Sequence, residues 1–540
     1  MPVPRSRLFL PATLSVTLLL TACGGSGDED QAEGPVTIDG GQPENPLVPG
    51  NTNEVYGGDI LDALFARLMR YDPDTAEPEE HIAESIETDD DQTFTITIRD
   101  DWSFHDGTDL EARHFVDAWN YSAYGPNGFV NNYWFEDIEG YEDLNPEDED
   151  AEPETDEMSG LELIDDHTFE VTLDEPFADW PFQLGYTVYS PLPDSFYDDP
   201  EAFGSEPVGN GPYEFSSWTD NEEITVDRWD DFPGDEPGQV ESIQWRMYDN
   251  QDTAYQDLIS GNLDIMTRLT PAALAGDVYQ DDLEDRYIDQ ESGLTYSATI
   301  TTEADGYDDP TFRQALSMAV DRDELAEQIF NNGQEAADGW ATGAVVGYQD
   351  DACGEYCTYD PDRANELLDE AEDDGFDVPE EVNFYFNDDA EHREWVEAVV
   401  TNWNQVFEGR LEANAVPVPT FGEFRENINN REYDGILRTG WQMDYPHLEN
   451  FLSPLFVTGA ASNDGDYSNE EFDELVAEAK QSSDEDEANE LYQEAERILA
   501  EDMPTIPIFA GRTISGYSDR MDNMEVNPFG VPVYERLTVQ

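Results

Sequence analysis

The sequence sets 128 aspartate and glutamate residues against 23 lysine and arginine, a formal charge of −105 at pH 7. A chain so charged becomes compact only if buried apolar surface outweighs both chain entropy and self-repulsion. That surface is present: 38% of the residues are hydrophobic and 12% aromatic, far from a disordered acidic polymer. The acidity therefore sits on a folded body, and 540 residues exceed what one hydrophobic core organises, so several domains are expected. Lys480 is the only lysine, and no basic cluster exists that could hold phosphates. Nucleic acid and anionic membrane surfaces are thereby excluded as partners. The composition reads as adaptation to saline or alkaline water, where a short Debye length screens the repulsion.

The start of the chain addresses a membrane. Arg5 and Arg7 precede the apolar run Leu8 to Leu20, which is short for a span and suits the core of a signal peptide over residues 1–22. Leu20-Thr21-Ala22-Cys23 resembles the lipobox of bacterial lipoproteins, which implies lipidation of Cys23. Residues 23–34 then form a lipidated tether of glycine, serine and acidic residues, and membrane contact is expected through the lipid anchor only. The remaining cysteines, Cys353 and Cys357, stand four apart in CGEYC. Outside the cytoplasm that pair reads as a local disulfide, because a zinc site would need two more soft ligands and the six histidines are scattered. No metal and no cofactor is expected.

Periodicity outlines a mixed α/β protein. Val36 to Asp39 reads as a first strand, Asn45 to Glu54 as a loop, and Asp59 to Met69 as a helix with Ile60, Leu64 and Leu68 on one face. Phe94, Ile96 and Ile98 alternate with polar residues, as do Phe169, Val171 and Leu173, which predicts half-buried antiparallel strands. Asn145 to Glu157 is an acidic loop. Ile224 and Val226, then Ile243, Trp245 and Met247, continue the strands, and a helix-like stretch follows that ends at Ser260-Gly261. Asp309-Pro310 opens a helix, Asp321 with Glu324 opens another that Gly333 ends, and Asp360-Pro361 opens a third that closes at Gly375. Ser468 with Glu471 reads as a capping box for Phe472 to Ala479, and Leu491 to Leu499 as a further helix. Thr505 to Phe509 reads as a short strand, which Pro507 should confine to a sheet edge.

Five blocks, in this order, resemble the family-5 extracellular solute-binding proteins, the dipeptide- and oligopeptide-binding group of ABC importers. They are Thr93 to Trp119, VGNGPYEFSSW (Val208 to Trp218), FRQALSMAVDRDELAEQIF (Phe312 to Phe330), YDPDRANELLDEA (Tyr359 to Ala371) and GWQMDYPHLENFL (Gly440 to Leu452). The resemblance implies a two-lobed, periplasmic-binding-protein-like clamp (type II, cluster C) with an extra inserted domain. Lobe I is expected at 35–75, 206–295 and 506–540, the inserted domain at 76–205, and the opposite lobe at 296–505. It also implies a monomer that captures short peptides by hinge closure and hands them to permease subunits with their ATPases.

The family's site then maps onto this chain. Asp444 stands where relatives hold the peptide ammonium, and a carboxylate in a closed cleft makes a charge-assisted pair. Arg438, six residues earlier, is placed to receive the peptide carboxylate or to make an internal salt bridge, with Arg431 a weaker second choice. Gly440 would permit close backbone approach, and Trp441 would bound a side-chain pocket or belong to the core. Asn53 and Glu54, in the Asn51 to Val55 loop, correspond to a segment that pairs with the ligand backbone, and Tyr133 to a tyrosine that covers the ligand. Other solutes, such as oligosaccharides or metal complexes, and a peptide-sensing surface receptor stand as alternatives. An enzyme is not expected: there is no G-x-S-x-G elbow and no H-E-x-x-H.

Overall fold

Two long strands, Tyr287–Ile300 and Thr505–Tyr517, run antiparallel side by side through an eleven-stranded sheet and join its two halves. The computed structural model describes residues 34–540 apart from 74, 147–150, 249, 303, 305 and 389–391. The expected signal segment, Cys23, most of the tether and the middle of the acidic loop lie outside the described residues.

On one side of the long pair the strands follow as Ile265–Met266, Val36–Gly40, Ser242–Met247, Glu223–Arg228 and Tyr213–Thr219. Val36–Gly40 is buried at every position and pairs in parallel with Ser242–Met247, as a strand sandwiched between layers must. On the other side come Ile436–Gln442, Glu381–Asn387 and Glu412–Val418, all mutually parallel. Parallel neighbours need crossovers, and helices Arg393–Val406 and Phe421–Asn429 supply them. In the first helix Trp395, Val396, Val399, Val400 and Trp403 form one buried stripe. A separate four-stranded antiparallel sheet, Ala83–Thr88, Thr93–Ile98, Thr168–Thr172 and Leu161–Asp165 in spatial order, carries the alternation seen in the sequence: Phe94, Ile96, Ile98, Phe169 and Val171 are all buried.

Two large cores result. One gathers residues from Val36 to Ile265 together with Tyr445 and Met521 to Leu537, and the other gathers residues from Ala298 to Phe509. The long strands pass between them. Their register breaks between the pairs Glu291/Arg512 and Thr295/Ala510. A Cβ on Gly511 would come within 2.7 Å of Leu294 and of Ser292 Oγ, so only glycine admits this approach.

Several boundaries differ from expectation, each for a local reason. The first helix is Val55–Leu64, not Asp59 to Met69. Glu54 caps it by accepting the Gly57 N–H at 2.9 Å. It stops because the Leu64 carbonyl accepts the N–H groups of Asn210 and Gly211 instead of continuing the helix. Leu68 is buried all the same, from a bend beyond the helix. The helix opened by Asp321 ends at Phe330, where Asn331 adopts a left-handed φ of 52°, rather than at Gly333. Asn469, not Ser468, caps helix Glu470–Lys480 through the Glu471 and Phe472 N–H groups, while Ser468 Oγ bonds Thr458. The expected short edge strand at Thr505 is 13 residues long and central. Pro507 is tolerated there because it sits at a second register irregularity, opposite Ser297, and its carbonyl accepts the Nε of the buried Arg322. Caps at Asp309, Asp321 and Asp360 and the left-handed Gly261 and Gly375 stand where the sequence reading puts them.

Candidate functional site

Strand Ile436–Gln442 pairs with Tyr287–Ile300 and ends beside the register break, where the Met443 N–H donates to the Gly293 carbonyl at 2.7 Å. The chain then turns through Asp444-Tyr445-Pro446 into helix Glu449–Phe456. Asp444 is thereby set at the junction of the two halves. Asn450, in the first turn of that helix and 3% exposed, reaches back over the turn. Its Oδ1 accepts the Asp444 N–H at 2.8 Å and the Trp441 Nε1–H at 3.1 Å, and its Nδ2 donates to Asp444 Oδ2 at 3.2 Å.

Three tyrosines from distant stretches of the chain, Tyr71, Tyr133 and Tyr186, lie within electrostatic reach of Asp444. The carboxylate's charge is felt at each phenol, adding to the dominant effect of burial in holding all three as neutral O–H groups; Tyr133 rises to about 12. Trp134 stacks on Tyr186 at 4.2 Å and meets Tyr445 edge-on at 6.3 Å, while Phe182 lies 4.6 Å from His447. Asp444 itself is pushed up to about 6, first by burial and then by the neighbouring Glu449, against the stabilising Asn450 amide. No cation of the chain forms an ion pair with Asp444 among the described residues. A positively charged group entering here would meet a desolvated carboxylate ready to pair with it and phenol oxygens ready to accept its hydrogen bonds.

The other sequence-predicted residues spread over several environments. Trp441 shares Asn450 with Asp444 and packs on the second core. Gly440 is exposed, and the close approach it permits is to its own sheet: a Cβ would lie 2.5 Å from the Thr295 carbonyl. Tyr133 is 48% exposed and belongs to the group around Asp444. Asn53 is exposed and accepts from Asn45 Nδ2 at 3.4 Å. Glu54 serves as the helix cap, and both it and Thr52 have extended backbone outside any strand, as a segment free to pair with a ligand would. Arg438 stands elsewhere, with its NH2 on Asn387 Oδ1 and its guanidinium over Phe421 and Phe424 at 5.8 and 5.9 Å. Arg431 pairs with Asp466 at 2.7 Å beside a cavity of about 170 Å³ that Asp444 does not line. Cys353 and Cys357 are joined in a disulfide with Cα atoms 5.6 Å apart.

A second polar group closes the same junction. Lys480 packs its ammonium 4.5 Å over Phe177 and accepts the Ala178 N–H on its carbonyl at 2.7 Å, while Tyr492 donates to Asp179 Oδ2 at 3.1 Å. Tyr71, Tyr186, Asn450, Asp179 and Glu449 had escaped the sequence reading. Asn450 lies inside the block that contains Asp444 and could have been singled out. The tyrosines carry no local signal, since only the fold brings them together.

Comparison with known proteins agrees with this architecture. Residues 77–463 match the family described as bacterial extracellular solute-binding proteins, family 5. The chain is 25% identical over 517 residues to the oligopeptide-binding protein OppA of Bacillus subtilis, covering 92% of each. Among solved structures it resembles HbpA2 from Haemophilus parasuis (TM-score 0.80, 20% identity, 94% and 99% coverage). It also resembles Haemophilus influenzae OppA in complex with the peptide RPPGFSPFR (TM-score 0.71, 22% identity, 95% and 99% coverage). The family match spans most of the chain and the solved relatives share its two-lobed fold, so this protein belongs to the bacterial extracellular solute-binding proteins of family 5.

Proposed function

We propose that this protein captures short peptides between its lobes on the outer side of a bacterial membrane and delivers them to the permease of an ABC importer. The observation that carries the reading is Asp444: a half-buried carboxylate at the lobe junction, oriented by Asn450, with three phenols within reach of its charge and paired with no cation among the described residues. The N-terminal ammonium of a peptide is the complement of such a group. Similarity to an oligopeptide-binding protein, and to one solved with a nonapeptide, supports the same class of ligand. Asn53, Glu54 and Tyr133 would contribute from the side opposite Asp444 and Trp441. Arg438, held by Asn387 and two phenylalanines, would reach a peptide carboxylate only after leaving them.

We place lobe I at 35–75, 206–295 and 506–540, the inserted domain at 76–205 and the opposite lobe at 296–505, with the register break of the long strands as the hinge; lobe I and the inserted domain share the first core, and the second draws on residues from Ala298 to Phe509. Anchoring through a lipid on Cys23, and a monomeric state, complete the proposal. Calorimetry with di- to pentapeptides, free and N-acetylated, tests it: acetylation should abolish most of the affinity of the wild type, and Asp444→Asn should lose most affinity for the free form. Equal affinity for both forms in the wild type would refute the reading.

A further inference from the structure

We infer that Asn450 is the positioning residue of the binding site: its side-chain amide clamps Asp444 and Trp441 into one rigid unit and keeps the carboxylate aimed. This rests on the reading of Asp444 as the ammonium-binding group and adds the element that makes it competent.

The hydrogen-bond pattern determines which way the amide faces. Two N–H donors, from Asp444 and Trp441, converge on one end of the Asn450 side chain, and a carboxylate oxygen meets the other. Reversing the amide would set its NH2 against two donors and its oxygen against a carboxylate, so only one orientation satisfies all three contacts. The amide is almost wholly buried, where leaving any of these groups unsatisfied is costly. Neither serine nor glutamine reproduces the span: asparagine alone offers one acceptor and one donor at this reach from the first turn of helix Glu449–Phe456.

The two ends of the amide do separable work. The Oδ1 end fixes the backbone of the Asp444 turn and the indole, which is a matter of shape. The Nδ2 end donates to the carboxylate and favours its charged form. Besides the Asn450 amide, Glu449 from the same helix acts on Asp444, and Tyr71, Tyr133 and Tyr186 from across the junction feel the Asp444 charge in turn. Glu449 opposes ionisation, and among the described residues no cation pairs with Asp444, so the amide donor is what the carboxylate has before a ligand arrives.

Asn450→Asp retains an acceptor for both N–H groups and replaces the donor with a second carboxylate, and Asn450→Ala removes both ends. Affinity for one free-amine tripeptide is to be measured by calorimetry between pH 5 and 7.5 in wild type, both Asn450 variants and Asp444→Asn, with near-ultraviolet circular dichroism as the check on folding. For Asn450→Asp the expected result is affinity lower by about tenfold at pH 6.5 and a pH midpoint for binding moved upward by about one unit, so that the deficit narrows as pH rises. In Asn450→Ala, which removes the donor without adding a charge, the midpoint should also rise; a midpoint there unchanged from wild type overturns the positioning role even if affinity falls, since a residue that merely filled space would not move it. Asp444→Asn that binds like wild type would overturn the ammonium reading itself, and with it the role of Asn450.

Discussion

The ammonium of Lys480 lies 3.0 Å from Glu449 Oε1, and Glu449 is 1% exposed. The chain's only lysine is thus committed to a largely buried pair with Glu449, in the helix that follows Asp444, with Asp137 and Asp179 close enough to feel its charge. Glu449 stays below its usual range despite burial, because Lys480 and the Tyr445 hydroxyl hold its charged form. Removing one partner of such a pair strands the other, which costs more than the pair contributes.

Lys480→Met should therefore destabilise the protein by about 3 kcal/mol, and Glu449→Leu added to it should recover most of the loss. Urea unfolding of the single and double variants measures both. A double variant as unstable as Lys480→Met alone would show that the uncompensated carboxylate is not the cause.

Stability should fall as pH rises from about 6.5 to 7.5, above the range in which His81, His105 and His447, held neutral by burial, gain stability as the unfolded chain gives up its histidine protons. Burial raises Asp39 and Asp444 to about 6 and Asp179 and Glu496 to about 7, whereas the unfolded chain titrates them near 4. Over that interval the folded state holds more protons, so raising the pH withdraws up to about 1.4 kcal/mol per unit for each group. Their contribution is complete below the unfolded value and is lost as pH passes through the folded ones. Melting temperatures by calorimetry at constant high salt should decline across this window; a steady rise would contradict the assignment.

Salt should stabilise. With a formal charge of −105, repulsion within the folded body is strongest when the Debye length is long, about 30 Å at 0.01 M salt, and weak at about 3 Å near 1 M. The melting temperature should climb steeply over this range in chloride salts that do not bind specifically. A midpoint that drops with added salt would mean that the ion pairs on the surface outweigh the excess charge.

Opening the Cys353–Cys357 bridge should have a modest effect. The loop it closes is only a few residues long, and chain-entropy arguments assign such a loop roughly 2 kcal/mol. The loop is also tied down independently, since the buried Arg322 donates to the Cys357 carbonyl at 2.9 Å and to the Ser317 hydroxyl at 2.7 Å. The Cys353→Ser, Cys357→Ser double variant should melt a few degrees lower and retain peptide binding. Titration of the unreduced protein that finds two free thiols would remove the premise.

Much of the local structure was legible because it depends on neighbours in sequence. Asp309, Asp321 and Asp360 cap helices through contacts three residues away, and the alternation of Phe94, Ile96 and Ile98 needs only a sheet with one buried face. Errors arose where a distant residue intervened. The first helix ends early because Asn210 and Gly211, nearly 150 positions away, take the carbonyl of Leu64. Pro507 sits in a central strand because a register irregularity opposite Ser297 removes the need for its missing N–H.

The same division holds at the site. The sequence by itself determined the family blocks, the place of Asp444 after the Gly-Trp pair and the scarcity of cations that makes each one informative. Only the tertiary structure decided that the charge of Asp444 reaches Tyr71, Tyr133 and Tyr186, that Asn450 orients it and that Arg438 turns toward Asn387 instead. The physical reason is that charge, periodicity and capping act over a few bonds and are written in order along the chain. Desolvation and the meeting of side chains hundreds of residues apart exist only once two cores have been packed against one another.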